Sequence, residues 1–157
     1  MTQGPDTNEN KPEIQPLAPK EVMALIEKHF PSNTEQIGVI EIVSCGHGDA
    51  VVRLPFNDRF TRPGGTISGP TMFHLADTTA YVAILSDLGE AAIDSVTTTL
   101  TINFLARPSP EDLIGEVTTL RRGRRLSVCD VRIYCGSART LVAHASCIYA
   151  LPRSRTD

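Results

Sequence analysis

No apolar run in this chain approaches the roughly 20 residues that a membrane-spanning helix needs. No basic-then-apolar order of an export signal opens it either. The first residues, MTQGPDTNENKPEIQP, are polar and read as a disordered leader over residues 1–17, ahead of a single domain over residues 18–157. Positive charge is not in surplus: a net −3 gives no reason to expect nucleic acid or an anionic membrane as partner. The four cysteines, Cys45, Cys129, Cys135 and Cys147, form no C-x-x-C pair. Without an export signal they read as reduced thiols of a cytoplasmic protein. The histidines, His29, His47, His74 and His144, lack H-x-x-x-H or Cys–His spacing, so no metal site is expected. No internal repeat is visible.

What is present is a hydrophobic share of 41%, enough for a core, patterned into recognisable elements. In APKEVMALIEKHF, Val22, Leu25, Ile26 and Phe30 fall at helical spacing, with Pro19 in the first turn and Pro31 as the stop. Two β-branched runs, Ile37 to Cys45 and Ala50 to Pro55, flank GHGD and predict a hairpin. NDRFTRPGGTISG is a loop by composition. A long helix is expected from about Pro70 to Leu88, closed by Gly89. Four strands follow: DSVTTTLTINFLA, DLIGEVTTLRR, LSVCDVRIYC and TLVAHASCIYAL, joined by turn-like RPSPED, RGRR and GSAR. The fold class is α+β, a mainly antiparallel sheet with one buried helix.

That helix carries the functional signal. Met72, Leu75, Ala76, Thr79, Ala80, Val82 and Ala83 cover one broad side at 100° per residue. Pro70, His74, Asp77, Thr78 and Tyr81 align in a narrow stripe on the other. The stripe has no lysine, arginine or glutamate, so it is unlike a solvent face, and Asp77 is its one charge. At the helix start, Ser68 suits the N-cap and Pro70 lacks an N–H where none is needed. Gly69 between them presents an N–H at a helix end that favours negative charge. Such a donor can stabilise an oxyanion by about 3 kcal/mol.

GTISGPTMFHLADTTAY and INFLARPSPEDLIGEVTTLRRGRR, in this element order, resemble the hotdog-fold thioesterases, specifically the PaaI-like acyl-CoA thioesterase group of phenylacetate pathways. That group reads N-x-x-G-x-x-H-G-G before a helix with L-x-D-T, and LADT at Leu75 to Thr78 matches its end. The resemblance implies a hotdog fold, with an antiparallel sheet wrapped around one long central helix. It implies acyl-CoA hydrolysis by a homodimer or a dimer of dimers, with coenzyme A entering only as part of the substrate and no other cofactor. It puts Asp77 at the catalytic carboxylate, as general base or nucleophile, and Gly69 at the amide that binds the thioester oxygen. Thr97 falls where relatives hold a hydroxyl that positions water. Three positions differ: Ser68 stands for the histidine, Pro70 for the second glycine and Arg62 for the asparagine.

Ser68 can still donate a hydrogen bond, and Arg62 can pair with Asp77 or with a substrate anion. Pro70, His74, Thr78 and Tyr81 are expected to line the substrate site. Arg121 and Arg124, in the basic stretch RRGRR, are either solvated turn residues or contacts for coenzyme A phosphates. Two rivals stay open. One is a hotdog enoyl-CoA hydratase or dehydratase, which His74 would serve. The other is a non-catalytic acyl-CoA-binding module, consistent with Ser68, Pro70 and Arg62.

Overall fold

The computed structural model describes residues 15–31 and 40–153. The first fourteen residues of the expected leader, and residues 37–39 of the expected hairpin, lie outside the described residues. Leu17, at the leader's end, donates its backbone N–H to the Ser86 carbonyl at 2.7 Å.

Helix α1 (Pro19–His29) buries Val22 and Ile26, as its spacing requires. β1 (Glu41–Gly46) and β2 (Asp49–Leu54) form the hairpin, turning through His47 and Gly48. The expected loop holds more structure than composition suggested. Asp58–Phe60 make a single 3-10 turn, and β3 (Thr61–Arg62) pairs with β4 (Thr66–Ile67). The long helix, α2 (Gly69–Leu88), ends at Gly89, whose φ of 63° suits a residue without a side chain. β5 (Val96–Phe104), β6 (Leu113–Arg122), β7 (Leu126–Cys135) and β8 (Thr140–Ala150) follow within two residues of the expected bounds.

The main sheet has six strands in the order β1-β2-β6-β7-β8-β5, and every neighbouring pair is antiparallel. Alternation sorts its faces: Leu113, Gly115 and Val117 of β6, and Cys129, Val131 and Ile133 of β7, turn inward. On β8 the inward set is Ala143, Ala145, Cys147 and Tyr149. A bulge at Val142 breaks the alternation there, so Val142 and Ala143 are buried in succession. Small side chains under the helix let α2 lie close. At Gly115 an added Cβ would stand 2.4 Å from Thr79 Oγ1. The sheet thus wraps one long helix, the hotdog arrangement, with Leu75, Ala76, Ala80, Val82 and Ala83 fully inside.

β5 lies at one edge of the sheet with Val96, Phe104 and Leu105 more than half exposed. The four cysteines are free, including Cys129 and Cys147, which face each other across β7 and β8. No helix among the described residues is long and apolar enough to cross a membrane.

Candidate active site

The N-terminus of α2 is built as its residues dictate. Ser68 caps it, its Oγ accepting the Thr71 N–H at 3.3 Å, with the two hydroxyls 2.8 Å apart. The Ser68 N–H is used by the Phe60 carbonyl at 2.8 Å. Pro70 is exposed and has no N–H. The Gly69 N–H finds no acceptor among the described residues. A side chain there would meet the Phe104 ring, 3.2 Å from a Cβ, so Gly69 sits directly under the end of β5.

Two helical turns on, about 12 Å along the axis, Asp77 is half-buried and held by two hydroxyls. Thr97 Oγ1 donates to Asp77 Oδ1 at 2.7 Å. The Tyr149 hydroxyl donates to the same Oδ1 at 2.5 Å and to the Asp77 carbonyl at 2.9 Å. The cross-strand register explains the convergence, because Thr97 of β5 is the direct partner of Tyr149 on β8. Oδ2 has no hydrogen-bond partner among the described residues.

Asp77 forms part of the wall of a pocket of ≈ 220 Å³. α2 supplies His74, Thr78 and Tyr81 beside it; the segment before and within β5 supplies Ser95 and Thr97. α1 and the residue after it add Ile26 and Phe30. Three rings shape this space. Phe30 meets Tyr81 edge-on with centroids 6.2 Å apart, and Tyr81 stacks on Tyr149 at 6.1 Å. The Tyr81 hydroxyl donates to the Ile93 carbonyl at 2.6 Å. Burial, with the Asp94 charge, pushes the Tyr81 phenol up to about 12. Burial and then the Asp77 charge push Tyr149 further up. Burial pulls His74 down and outweighs the opposing pull of Asp77. The His74 Nε2 and the Ser95 Oγ are buried and have no hydrogen-bond partner among the described residues.

The expected stripe therefore divides. His74, Asp77, Thr78 and Tyr81 come together with Thr97 in the pocket, while Ser68, Gly69 and Pro70 stand at the far end of the same helix. Arg62 is exposed at the β3–β4 turn and makes no ion pair with Asp77, because the cap and two helical turns lie between them. Asn57 is occupied in capping the 3-10 turn, accepting the Arg59 N–H at 3.0 Å. Arg121 and Arg124 are exposed at the β6–β7 end, but Arg122 between them turns inward to pair with Asp87 near the C-terminus of α2. No group of three metal-ligating side chains occurs among the described residues.

Tyr149 is the site residue that sequence reasoning missed. A signal was there: it is one of three tyrosines, in register with the small inward residues Ala143, Ala145 and Cys147. A large polar ring in that series needs both space and a partner for its hydroxyl.

Residues 64–147 match the family model of the thioesterase superfamily. A solved structure from Silicibacter sp. TM1040, assigned as a thioesterase, is 33% identical in sequence with a TM-score of 0.78. The similarity covers 88% of this chain and 95% of that one. A thioesterase protein from Streptococcus pneumoniae, solved with coenzyme A, has a TM-score of 0.72 over 83% of this chain and 99% of its own. At 22% identity it bears on the fold alone. An assigned esterase of Saccharolobus solfataricus is 32% identical over 59% of this chain. The chain spans less than two thirds of the length of the curated relatives it matches, 64% and 65%.

Proposed function

The chain belongs to the thioesterase superfamily, and on that footing we propose that it hydrolyses acyl-CoA thioesters, with Asp77 as the reacting carboxylate and the Gly69 N–H as the donor to the thioester oxygen. The observation that carries the reading is the Asp77 carboxylate itself. It is fixed by Thr97 and Tyr149 in the wall of an aromatic-lined pocket, with one oxygen still unpartnered.

Asp77 takes a proton from water, and the water oxygen bonds to the thioester carbon. The developing oxyanion lies at Gly69, where the helix end and an unused N–H favour negative charge. The carbon–sulfur bond then breaks, the acid is released, and the proton held by Asp77 passes to the departing thiolate. Coenzyme A is part of the substrate in this scheme and no further cofactor enters. If instead an Asp77 oxygen attacks the carbon directly, the acyl group passes through an anhydride that water opens. Label from ¹⁸O-water that appears in Asp77 after a single turnover identifies the anhydride route with water opening it at the Asp77 carbon; attack at the acyl carbon labels the product acid in either route.

The roughly 12 Å between Gly69 and Asp77 along one helix is too great for both to serve one thioester, so the site is completed by a second copy. β5 supplies the means: its outer edge is unpaired, and long uncovered edges invite pairing with another chain. Antiparallel pairing of two β5 strands brings the Phe104 end of one copy, with Gly69 beneath it, toward the Thr97 end of the other. For coenzyme A, the relevant feature is the basic turn. Ser127, beside that turn, pairs with Tyr149, so Arg121 and Arg124 lie at the Asp77 end of the sheet and can meet the substrate phosphates.

Hydration of an enoyl-CoA is less well supported, since His74 makes no hydrogen bond to Asp77. Thiol release from saturated acyl-CoA esters, assayed beside hydration of enoyl-CoA, tests the reading. Asp77→Asn is expected to lower turnover at least about a hundredfold while binding of acyl-CoA persists. Full thiol release by that variant would remove Asp77 from the mechanism. Tight binding without any release by the unaltered protein would make it a binding module.

A further inference from the structure

We infer that Tyr149 is a positioning residue that, together with Thr97, decides which oxygen of Asp77 reacts: the two hydroxyls occupy Oδ1 and leave Oδ2 as the oxygen that takes the proton from water. This rests on the reading of Asp77 as the reacting carboxylate and extends it to a residue outside the matched family segment, which ends at 147.

A free carboxylate offers two equivalent oxygens and rotates between them. Here the equivalence is broken, because both donors reach the same atom, at 2.5 and 2.7 Å. The Tyr149 hydroxyl also bonds the Asp77 main-chain carbonyl at 2.9 Å, so one group ties the side chain to its own helix. Tyr149 is itself enclosed. It is 3% exposed, and its ring stacks on Tyr81, whose hydroxyl is bonded to the Ile93 carbonyl. Carboxylate orientation is thereby set before any substrate arrives, which is what effective positioning requires.

The phenol's protonation fits a donor. Burial and the Asp77 charge favour the neutral, protonated phenol on Tyr149, the form that donates to Asp77 Oδ1. Its effect on catalysis passes through Asp77.

The test compares Tyr149→Phe with the unaltered protein in thiol release, alongside thermal melting and Asp77→Asn. The phenylalanine keeps the ring and its stack and removes the hydroxyl alone. The expected result is a kcat about tenfold to a hundredfold lower, the range for a hydrogen bond to a charged group, with KM within about twofold. Thr97→Val should lose kcat in the same way, and Thr97→Ser, which keeps a hydroxyl, should lose less. An unchanged kcat in Tyr149→Phe while Asp77→Asn is inactive overturns the positioning role and leaves the reading of Asp77 intact. A raised KM with kcat preserved overturns it as well, since Tyr149 would then hold substrate. Activity retained in Asp77→Asn brings down both. Where Tyr149→Phe fails to fold, the Thr97 pair decides: equal losses in Val and Ser count against the inference.

Discussion

Around Asp77, burial acts in opposite senses on the phenols and on the imidazole, yet in every case it favours the neutral form. Tyr81, raised to about 12, and Tyr149, raised further, stay protonated in the folded protein well above the ordinary phenol value near 10. A raised folded value means that the associated stability is complete below the unfolded value and drains away as pH climbs through the folded one. His74, depressed by burial, behaves in the mirror sense: its share is complete above about 6.5 and is lost as pH falls. Urea unfolding followed against pH should therefore show stability dropping above about pH 10, and Tyr149→Phe should flatten that alkaline limb. An identical limb in the variant would contradict the burial account. These residues were unequally legible. Asp77, Thr97 and Tyr81 could be found from helix periodicity or resemblance. Tyr149 left a signal in its size among small inward residues, but its partner was not legible, because that partner is set by a cross-strand register and by a helix 72 residues away in the chain.

Elements were easier to read than contacts between them. α2 and the last four strands stand where periodicity and turn residues put them, since each is specified by its own neighbours in sequence, although β5 pairs with β8 and not with the strand that follows it. β3 and β4 were hidden because two-residue strands exist only by pairing with each other. Arg122 was hidden in another way: RRGRR looks like a solvated cluster, but Asp87, 35 residues earlier, draws one arginine in under α2. The tightest helix–sheet approach was equally invisible, being a glycine within an ordinary strand run. Gly115→Ala would press a methyl group onto the side chains of Thr79 and Leu75, with Thr79 Oγ1 already tied to the Leu75 carbonyl. The expected cost is about 1–3 kcal/mol, the range for overpacking a filled core. It should be read as a lower urea midpoint with an unchanged slope. An unaltered midpoint would show that α2 can shift away from the sheet at no cost.

At the scale of the whole molecule, the proposal that one site draws on two copies has a direct test in complementation. Asp77→Asn removes the carboxylate and leaves the helix end intact. Gly69→Pro removes the N–H that finds no acceptor among the described residues, and proline is well tolerated in a first helical turn. Its ring would press on Phe104, 3.2 Å from a Cβ at this position and at the edge that pairs in the dimer, so the variant's fold and dimeric state are verified before mixing. Each variant alone forms dimers in which both sites are broken. Mixed and allowed to exchange, they form hybrid dimers with one site spoiled twice and the other built from an intact Asp77 and an intact Gly69. Equal mixing makes half the dimers hybrid, so thiol release should recover to about a quarter of the unaltered protein's level. The recovery should develop at the rate of subunit exchange and fail when the variants are kept apart. If mixing two folded, dimeric variants restores nothing, Asp77 and Gly69 do not serve a common thioester across the interface. The 12 Å separation along α2 would then have to be bridged some other way, or Gly69 released from its role.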